Sequence, residues 1–301
     1  MFLSGLVTAA LARTDIAVLV SDTLTAYEEP VAAFRATVAR AATVYDLEGD
    51  RDRADVIVKQ LAADPPPLVF ALGAKAAYMA VNYLPNTPVV YAMVGEPARY
   101  GIGGTQVTGV SSDVPPEAVL SQFKLFAPNV ERLGVLLASG NTGKATSAAI
   151  EAGKALGYDV TVVRVTNPRD LRAAWERMAE EEEVDALWLL PDPVVMTPES
   201  FRYLRGATLR RDVPMIAATE TLVRAGALLC VTPDREVLGQ QAGELALRVL
   251  EGGELPGMIE PLPPGAIRVV LNRDTLDAVG LRVDPLLLDF ADEVVREEQG
   301  R

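Results

Sequence analysis

The 301-residue chain contains no histidine. That absence removes the commonest general base, the Ser-His-Asp and Cys-His nucleophile arrangements, and most zinc sites. Cysteine is nearly missing as well. The single Cys230 lies in the apolar run Ala227-Leu228-Leu229-Cys230-Val231, where a thiol reads as a small core residue rather than a nucleophile. No disulfide can form within one chain, so cysteine usage does not decide the compartment. Positive charge is scarce: 28 Lys and Arg face 41 Asp and Glu, for a net charge of −13. A nucleic-acid partner needs a basic face, so this balance argues against one, and it disfavours an anionic membrane surface too. Beyond the N-terminus no apolar run approaches the ~20 residues of a membrane span.

What is present is a strand–helix alternation with a jump in the middle. In the first half, strands fit 15–21, 41–47, 67–72 and 88–94, with helices at about 25–40, 51–63 and 73–83. Pro65-Pro66-Pro67 stops the second helix. Pro67-Leu68-Val69-Phe70-Ala71-Leu72 is a continuous apolar run rather than an alternating one, the mark of a parallel sheet covered on both faces. Residues 95–106 read as a Gly-rich loop. The pattern pauses near Val107-Thr108-Gly109-Val110-Ser111 and restarts at Arg132. In the second half, strands fit 132–138, 158–165, 184–190, 213–218 and 227–232. Helices fit about 142–157, 168–181 and 198–211. A long helix from Asp234 to Leu250 ends at Gly252-Gly253. A Pro-rich connection leads to a last strand at 267–271, and the end beyond Arg296 reads as frayed. Two α/β units of similar size place a cleft between two sheets.

The N-terminal stretch Met1 to Ala12 is apolar and ends in Ala10-Leu11-Ala12, an A-x-A cleavage pattern, with a strand starting directly afterwards. Its basic n-region is missing. Residues 1–13 therefore read as the remnant of a signal peptide, against the alternative of a short helical extension. No cysteine follows the apolar run, so a lipid anchor is not supported.

Two nucleotide motifs are approached and missed. Gly140-Asn141-Thr142-Gly143-Lys144-Ala145 has Ala138 where a P-loop needs its first glycine and Ala145 where it needs Ser or Thr. Gly101-Ile102-Gly103-Gly104-Thr105-Gln106 has Gln106 where a dinucleotide fingerprint wants glycine, and it opens no helix. No cofactor and no metal is expected.

Position is more telling than motif. In open α/β sheets ligands bind at the carboxyl ends of strands, where helix N-termini present free N–H groups. Gly73-Ala74-Lys75 follows the third strand, and Ser139-Gly140-Asn141-Thr142 follows the first strand of the second half. Of five lysines, Lys75 and Lys144 fall in these first turns, where a cation opposes the helix dipole and an anionic ligand group would relieve it. The alternative is that both reach into solvent. Ser21, Asp22, Glu96, Asp192 and Glu220 stand at equivalent strand ends. The carboxylates could receive an ammonium group or ligand hydroxyls, or serve as caps and turn formers; Thr219 could cap the helix that Glu220 opens. Among Tyr27, Tyr91 and Tyr100, Tyr91 reads as core and Tyr27 as a flat wall for a ligand.

Several stretches together resemble a known family. Pro88-Val89-Val90-Tyr91-Ala92-Met93-Val94-Gly95-Glu96-Pro97, followed by Val107-Thr108-Gly109-Val110, resembles the bacterial ABC-transporter substrate-binding proteins that include tryptophan-binding members. Further matches are Leu68 to Gly73, Thr219-Glu220 with Ala225-Gly226-Ala227, Leu238-Gly239-Gln240-Gln241-Ala242, Leu250 to Glu254, Val269-Val270-Leu271-Asn272 and Ala278-Val279-Gly280-Leu281. The match covers 14–285. It departs from the family at Glu96, where aspartate is usual, and at the incomplete signal peptide.

The resemblance implies an α/β protein of type I periplasmic-binding-protein fold: two doubly wound, parallel-sheet, Rossmann-like lobes joined by a hinge. Lobe 1 is expected at 14–111 plus 233–262 and lobe 2 at 112–232 plus 263–301. It further implies an exported, periplasmic, monomeric receptor that traps a small amino-acid-like solute without catalysis and delivers it to a membrane permease and ATPase. Ligand carboxylate is expected at Gly73, Ala74, Lys75, Asn141 and Thr142, with ammonium or hydroxyl groups at Asp192 and Glu220. Rival readings are a sensing module that signals to a separate partner and, less well supported, a Rossmann-type enzyme.

Overall fold

A computed structural model describes residues 15–138, 143–192 and 194–296. The signal-peptide reading of 1–13, the Asn141–Thr142 turn and the end beyond Arg296 lie outside the described residues. In chain order the elements are β1 (Ile16–Val20), α1 (Glu28–Val38), β2 (Ala42–Asp46), α2 (Arg51–Ala63), β3 (Val69–Leu72), α3 (Ala74–Tyr83), β4 (Val89–Val94), β5 (Val107–Ser111), α4 (Pro116–Phe126), β6 (Arg132–Ala138), α5 (Lys144–Ala155), β7 (Asp159–Val165), α6 (Leu171–Glu180), β8 (Ala186–Trp188), α7 (Pro198–Leu209), β9 (Met215–Ala217), α8 (Glu220–Arg224), β10 (Leu229–Pro233), α9 (Arg235–Leu250), β11 (Ile267–Asn272), α10 (Arg273–Ala278) and β12 (Glu293–Val295). They fall into two compact units, one made of the chain up to Asp113 with Pro233–Ala266, the other of Val114–Thr232 with the chain from Ile267.

The first unit holds a five-stranded sheet in the order β2-β1-β3-β4-β5, with every neighbouring pair parallel. β1 and β3 are buried at every position. That is why they are apolar throughout: each face of the sheet is covered by helices. Alternate residues of β1 serve different cores. Ala17 and Leu19 pack with Ile57, Val58 and Leu61 of α2 and with Ala76, Ala77 and Ala80 of α3. Ile16, Val18 and Val20 pack with Phe34 of α1 and with Leu238, Ala242 and Leu245 of α9. Phe34 stacks on Phe70 of β3 at 4.1 Å between ring centroids.

The long helix α9 lies against α1 because its contact face carries Gly239 and Gly243, one turn apart. A β-carbon on Gly239 would fall 2.4 Å from the Pro30 carbonyl oxygen, and one on Gly243 2.6 Å from the Thr37 β-carbon. Asp234 starts α9 by accepting the Val237 N–H at 2.9 Å.

The second unit holds a seven-stranded sheet in the order β12-β11-β10-β9-β8-β6-β7. The pairs β6–β7, β6–β8, β8–β9, β9–β10 and β11–β12 are parallel. One face packs Trp175 and Met178 of α6 and Phe201 and Leu204 of α7. The other packs Leu120, Phe123 and Phe126 of α4 and Leu276 of α10. Cys230 is buried in the first of these cores, beside Met215 and Val270.

The pause read between 107 and 131 contains two elements. β5 pairs with β4 as an outer strand of its sheet, and Val110 also bridges to Leu262. α4 then begins at Pro116, and its Val119, Leu120, Phe123 and Phe126 make the apolar face that the second unit buries. Among the described residues no helix is long and apolar enough to cross a membrane.

Both sheets reverse direction once. From β1 the chain steps to β2 on one side and returns to β3 on the other; from β6 it steps to β7 and returns to β8. Each reversal leaves a crevice at the carboxyl ends of two strands, β1/β3 in the first unit and β6/β8 in the second.

Candidate ligand-binding site

In the first unit the crevice is built by Ser21, which directly follows β1. Its hydroxyl donates to the Leu72 carbonyl at 2.8 Å and accepts the Ala76 N–H at 2.9 Å. One buried side chain thus joins the end of β1, the end of β3 and the first turn of α3. Gly73 sits between β3 and α3 with φ at +84°, a backbone that side-chain-bearing residues rarely adopt. There is no room for a side chain either: a β-carbon would lie 2.6 Å from the Ser21 Oγ and 2.6 Å from the Tyr27 hydroxyl. Tyr27 therefore turns its hydroxyl into the crevice, hydrogen-bonded with Ser21, while its half-buried ring packs on the core around Phe34. Burial raises the Tyr27 phenol above its ordinary range; the Ser21 bond opposes this, and the charges of Asp22 and Asp46 add to it.

Asp22 is exposed and accepts the Thr23 N–H at 2.8 Å. Its carboxylate lies over Gly49, and the Lys75 ammonium donates to the Gly49 carbonyl. Lys75 thereby ties the first turn of α3 to the turn after β2. Asp46 accepts the Thr23 hydroxyl and the Glu48 N–H, each at 2.7 Å. Six expected residues, Ser21, Asp22, Tyr27, Gly73, Ala74 and Lys75, thus gather at one end of the β1/β3 crevice.

Glu96 stands further along the same edge, after β4, with φ at +46° and its carboxylate 3.5 Å from Arg99. Its N–H is held at 2.9 Å by Asp113, which also accepts the Ser111 hydroxyl at 2.8 Å. Asp113 is not among the residues expected from sequence. Its only local signal is the Ser-x-Asp spacing after a strand, and its partner Glu96 lies 17 residues away.

In the second unit Asp192 is buried after β8. One carboxylate oxygen accepts the Ala138 N–H of β6 at 2.9 Å, and the other accepts the N–H groups of Val194 and Val195 at 2.9 and 3.1 Å. It closes the β6/β8 crevice from the inside and forms the turn that leads to α7. Thr219 holds the N-cap position of α8, but its side chain makes no capping bond and is exposed. Glu220 lies half-buried in the first turn of α8. Asn141, Thr142 and the side chain of Lys144 fall outside the described residues. Tyr91 is 1% exposed inside β4, and Tyr100 is exposed.

A depression of about 710 Å³ also opens in the second unit, lined by Asn167, Arg169, Arg172, Glu199 and Tyr203, with the Arg172 guanidinium 4.7 Å from the Tyr203 ring centre. None of the crevice residues lines it, so it is not the site that the sheet topology designates.

Solved structures share this architecture. The ligand-free, open structure of a substrate-binding protein with adhesive properties from Clostridium difficile aligns with a TM-score of 0.80 at 20% identity, covering 95% of this chain and all of that one. An ABC domain in complex with L-Trp from Streptococcus pneumonia aligns at 0.68 and 21% identity, covering 94% of this chain and all of that one. The class is thus a two-unit α/β protein of the type I periplasmic-binding-protein fold. Within it, the chain belongs to the ABC transporter substrate binding protein family, which matches residues 42–295. Among its relatives, the Tyrosine-binding protein of Clostridioides difficile (strain R20291) is 25% identical over 248 residues, 79% of this chain and 70% of that protein.

Proposed function

We propose that this protein is an exported, non-catalytic receptor that binds an amino acid or a closely related carboxylate and delivers it to the permease and ATPase of an ABC importer. The observation that carries the reading is the convergence of Ser21, Tyr27, Gly73 and the first turn of α3 at the switch point of a parallel sheet. The ten-residue helix α3 begins there, so the amides of Ala74 and Lys75 and the helix dipole favour a ligand carboxylate. The Tyr27 ring offers an apolar wall. Glu96 offers a carboxylate for the ammonium group, and Thr219 and Glu220 supply polar atoms from the second unit. Asp192 acts by shaping its crevice, because its oxygens already serve backbone amides. On this reading the solute is trapped by hinge closure, a motion open to proteins of this fold. A relative named for tyrosine and a fold neighbour holding L-Trp make those two amino acids the first probes.

The test is thermal unfolding of the purified protein with a panel of amino acids and nucleosides. A ligand at 100 times its dissociation constant adds about 2.7 kcal/mol of stability. A shift with L-tyrosine or L-tryptophan, and none with nucleosides, is expected. A flat response across all amino acids overturns the reading.

A further inference from the structure

The end of β4 departs from regular strand geometry. Its ladder to β5 shifts register between Tyr91 and Val94, Met93 has φ at +57°, and Glu96 has φ at +46°. Residues other than Gly, Asn and Asp adopt this conformation rarely, and it persists only where the surroundings over-determine it. Asp113 does so for Glu96. Its Oδ2 accepts the Glu96 N–H at 2.9 Å and the Ser111 hydroxyl at 2.8 Å, and its own N–H donates to Ser111 Oγ at 3.1 Å. Its Oδ1 lies 3.0 Å from the place a β-carbon on Gly95 would take. The Ser112 N–H, donating to the Val94 carbonyl at 3.2 Å, fixes the same two segments side by side. The Glu96 carboxylate is paired only loosely: Arg99 is 3.5 Å away and its side chain is 62% exposed. Such a pair contributes little and is readily exchanged for another cation.

We propose that Asp113 is a positioning residue that locks the left-handed turn at Glu96, so that the Glu96 carboxylate stands ready to receive the ammonium group of the solute. The identity of that cation rests on the amino-acid-receptor reading; the lock does not. Glu96 confers preference for solutes with a free ammonium group, and Asp113 sets how well it does so.

The experiment compares Asp113→Ala, Asp113→Asn and the double variant Asp113→Ala/Glu96→Asp. It reads calorimetric affinity for L-tyrosine and L-tryptophan, melting temperature, and amide hydrogen exchange over residues 94–100. Asp113→Ala is expected to weaken binding about tenfold, the scale of one charge-assisted hydrogen bond, with faster exchange confined to 94–100. Asp113→Asn retains an oxygen acceptor and loses less. The double variant regains affinity, because aspartate tolerates the left-handed conformation better than glutamate while keeping a carboxylate. Unchanged affinity in Asp113→Ala overturns the proposal, as does unchanged exchange, or a double variant no tighter than Asp113→Ala. If the unsubstituted protein binds neither, affinity is read on whichever amino acid stabilises it in the thermal panel; if none does, the receptor reading and the ammonium assignment fall together, and the exchange data alone decide the lock.

Discussion

The carboxylate of Asp192, at the end of β8, accepts the N–H of Ala138, the last residue of β6, at 2.9 Å. A single buried side chain therefore spans the crevice of the second unit, as Ser21 spans that of the first by bonding Leu72 and Ala76. The chemistry differs, a carboxylate in one and a hydroxyl in the other, but the mechanical task is the same. Each holds together two strand ends that the reversal of strand order would otherwise leave open.

Asp192→Ala removes one acceptor from three buried or half-buried amides. Leaving such groups unsatisfied costs about 1–3 kcal/mol each before relaxation, so a loss of about 3 kcal/mol is expected in urea unfolding. Asp192→Asn keeps one carbonyl oxygen and should lose clearly less. Equal stability of the Ala variant and the unsubstituted protein would show that solvent replaces the carboxylate without cost.

The two crevices also show how far local pattern reaches. The apolar strands β1, β3, β4 and β6 announce a covered parallel sheet through their unbroken hydrophobic runs, and α2 is legible at its observed bounds because Asp50 caps it and Pro65 follows it. Helix α4 escapes the pattern, because Pro115-Pro116 looks like a loop until Val119, Leu120, Phe123 and Phe126 are seen to share one buried face. β12 is three residues in a charged tail, and only its pairing with β11 makes it a strand. At the candidate site, strand-end position points to Ser21, Tyr27 and Gly73. Asp113 stays hidden, since its importance comes from a contact between two strands rather than from any local pattern.

Gly239→Ala sets two effects of known size against each other. Within a helix the substitution favours folding by about 1 kcal/mol. Here the new β-carbon meets the Pro30 carbonyl oxygen and α-carbon at 2.4 and 2.8 Å, which are backbone atoms that cannot rotate away. Overpacking of that kind costs about 1–3 kcal/mol and wins, so Gly239→Ala lowers the melting temperature. Glu244→Ala, on the exposed side of the same helix, leaves it nearly unchanged. A more stable Gly239→Ala variant would mean that α1 and α9 part freely.

Gly73→Ala strains the backbone at φ +84° and drives a methyl group into Ser21 Oγ and the Tyr27 hydroxyl. On the receptor reading, it should weaken L-tyrosine or L-tryptophan binding by at least about tenfold, the result of roughly 1.4 kcal/mol of displaced contact. Adding Tyr27→Phe removes one of the two clashing oxygens and restores part of the loss of stability. Calorimetry on the two variants separates the contribution of Tyr27 to binding from its contribution to the clash.

Tyr91 supplies a pH prediction. It is 1% exposed within β4. Burial, with a smaller contribution from the Asp113 charge, pushes its phenol up to about 12 from 10.0. Because the folded form holds its proton to higher pH than the unfolded chain does, the corresponding stability is fully present below about pH 10 and is lost as pH rises through about 12. Tyr27, Tyr158 and Tyr203 are also raised, each chiefly by burial, so alkaline unfolding should be steep. Tyr91→Phe has no proton to lose at this position, and its stability should fall less between about pH 10 and 12 in parallel urea titrations. A slope identical to that of the unsubstituted protein would show that the Tyr91 phenol ionises without unfolding the sheet.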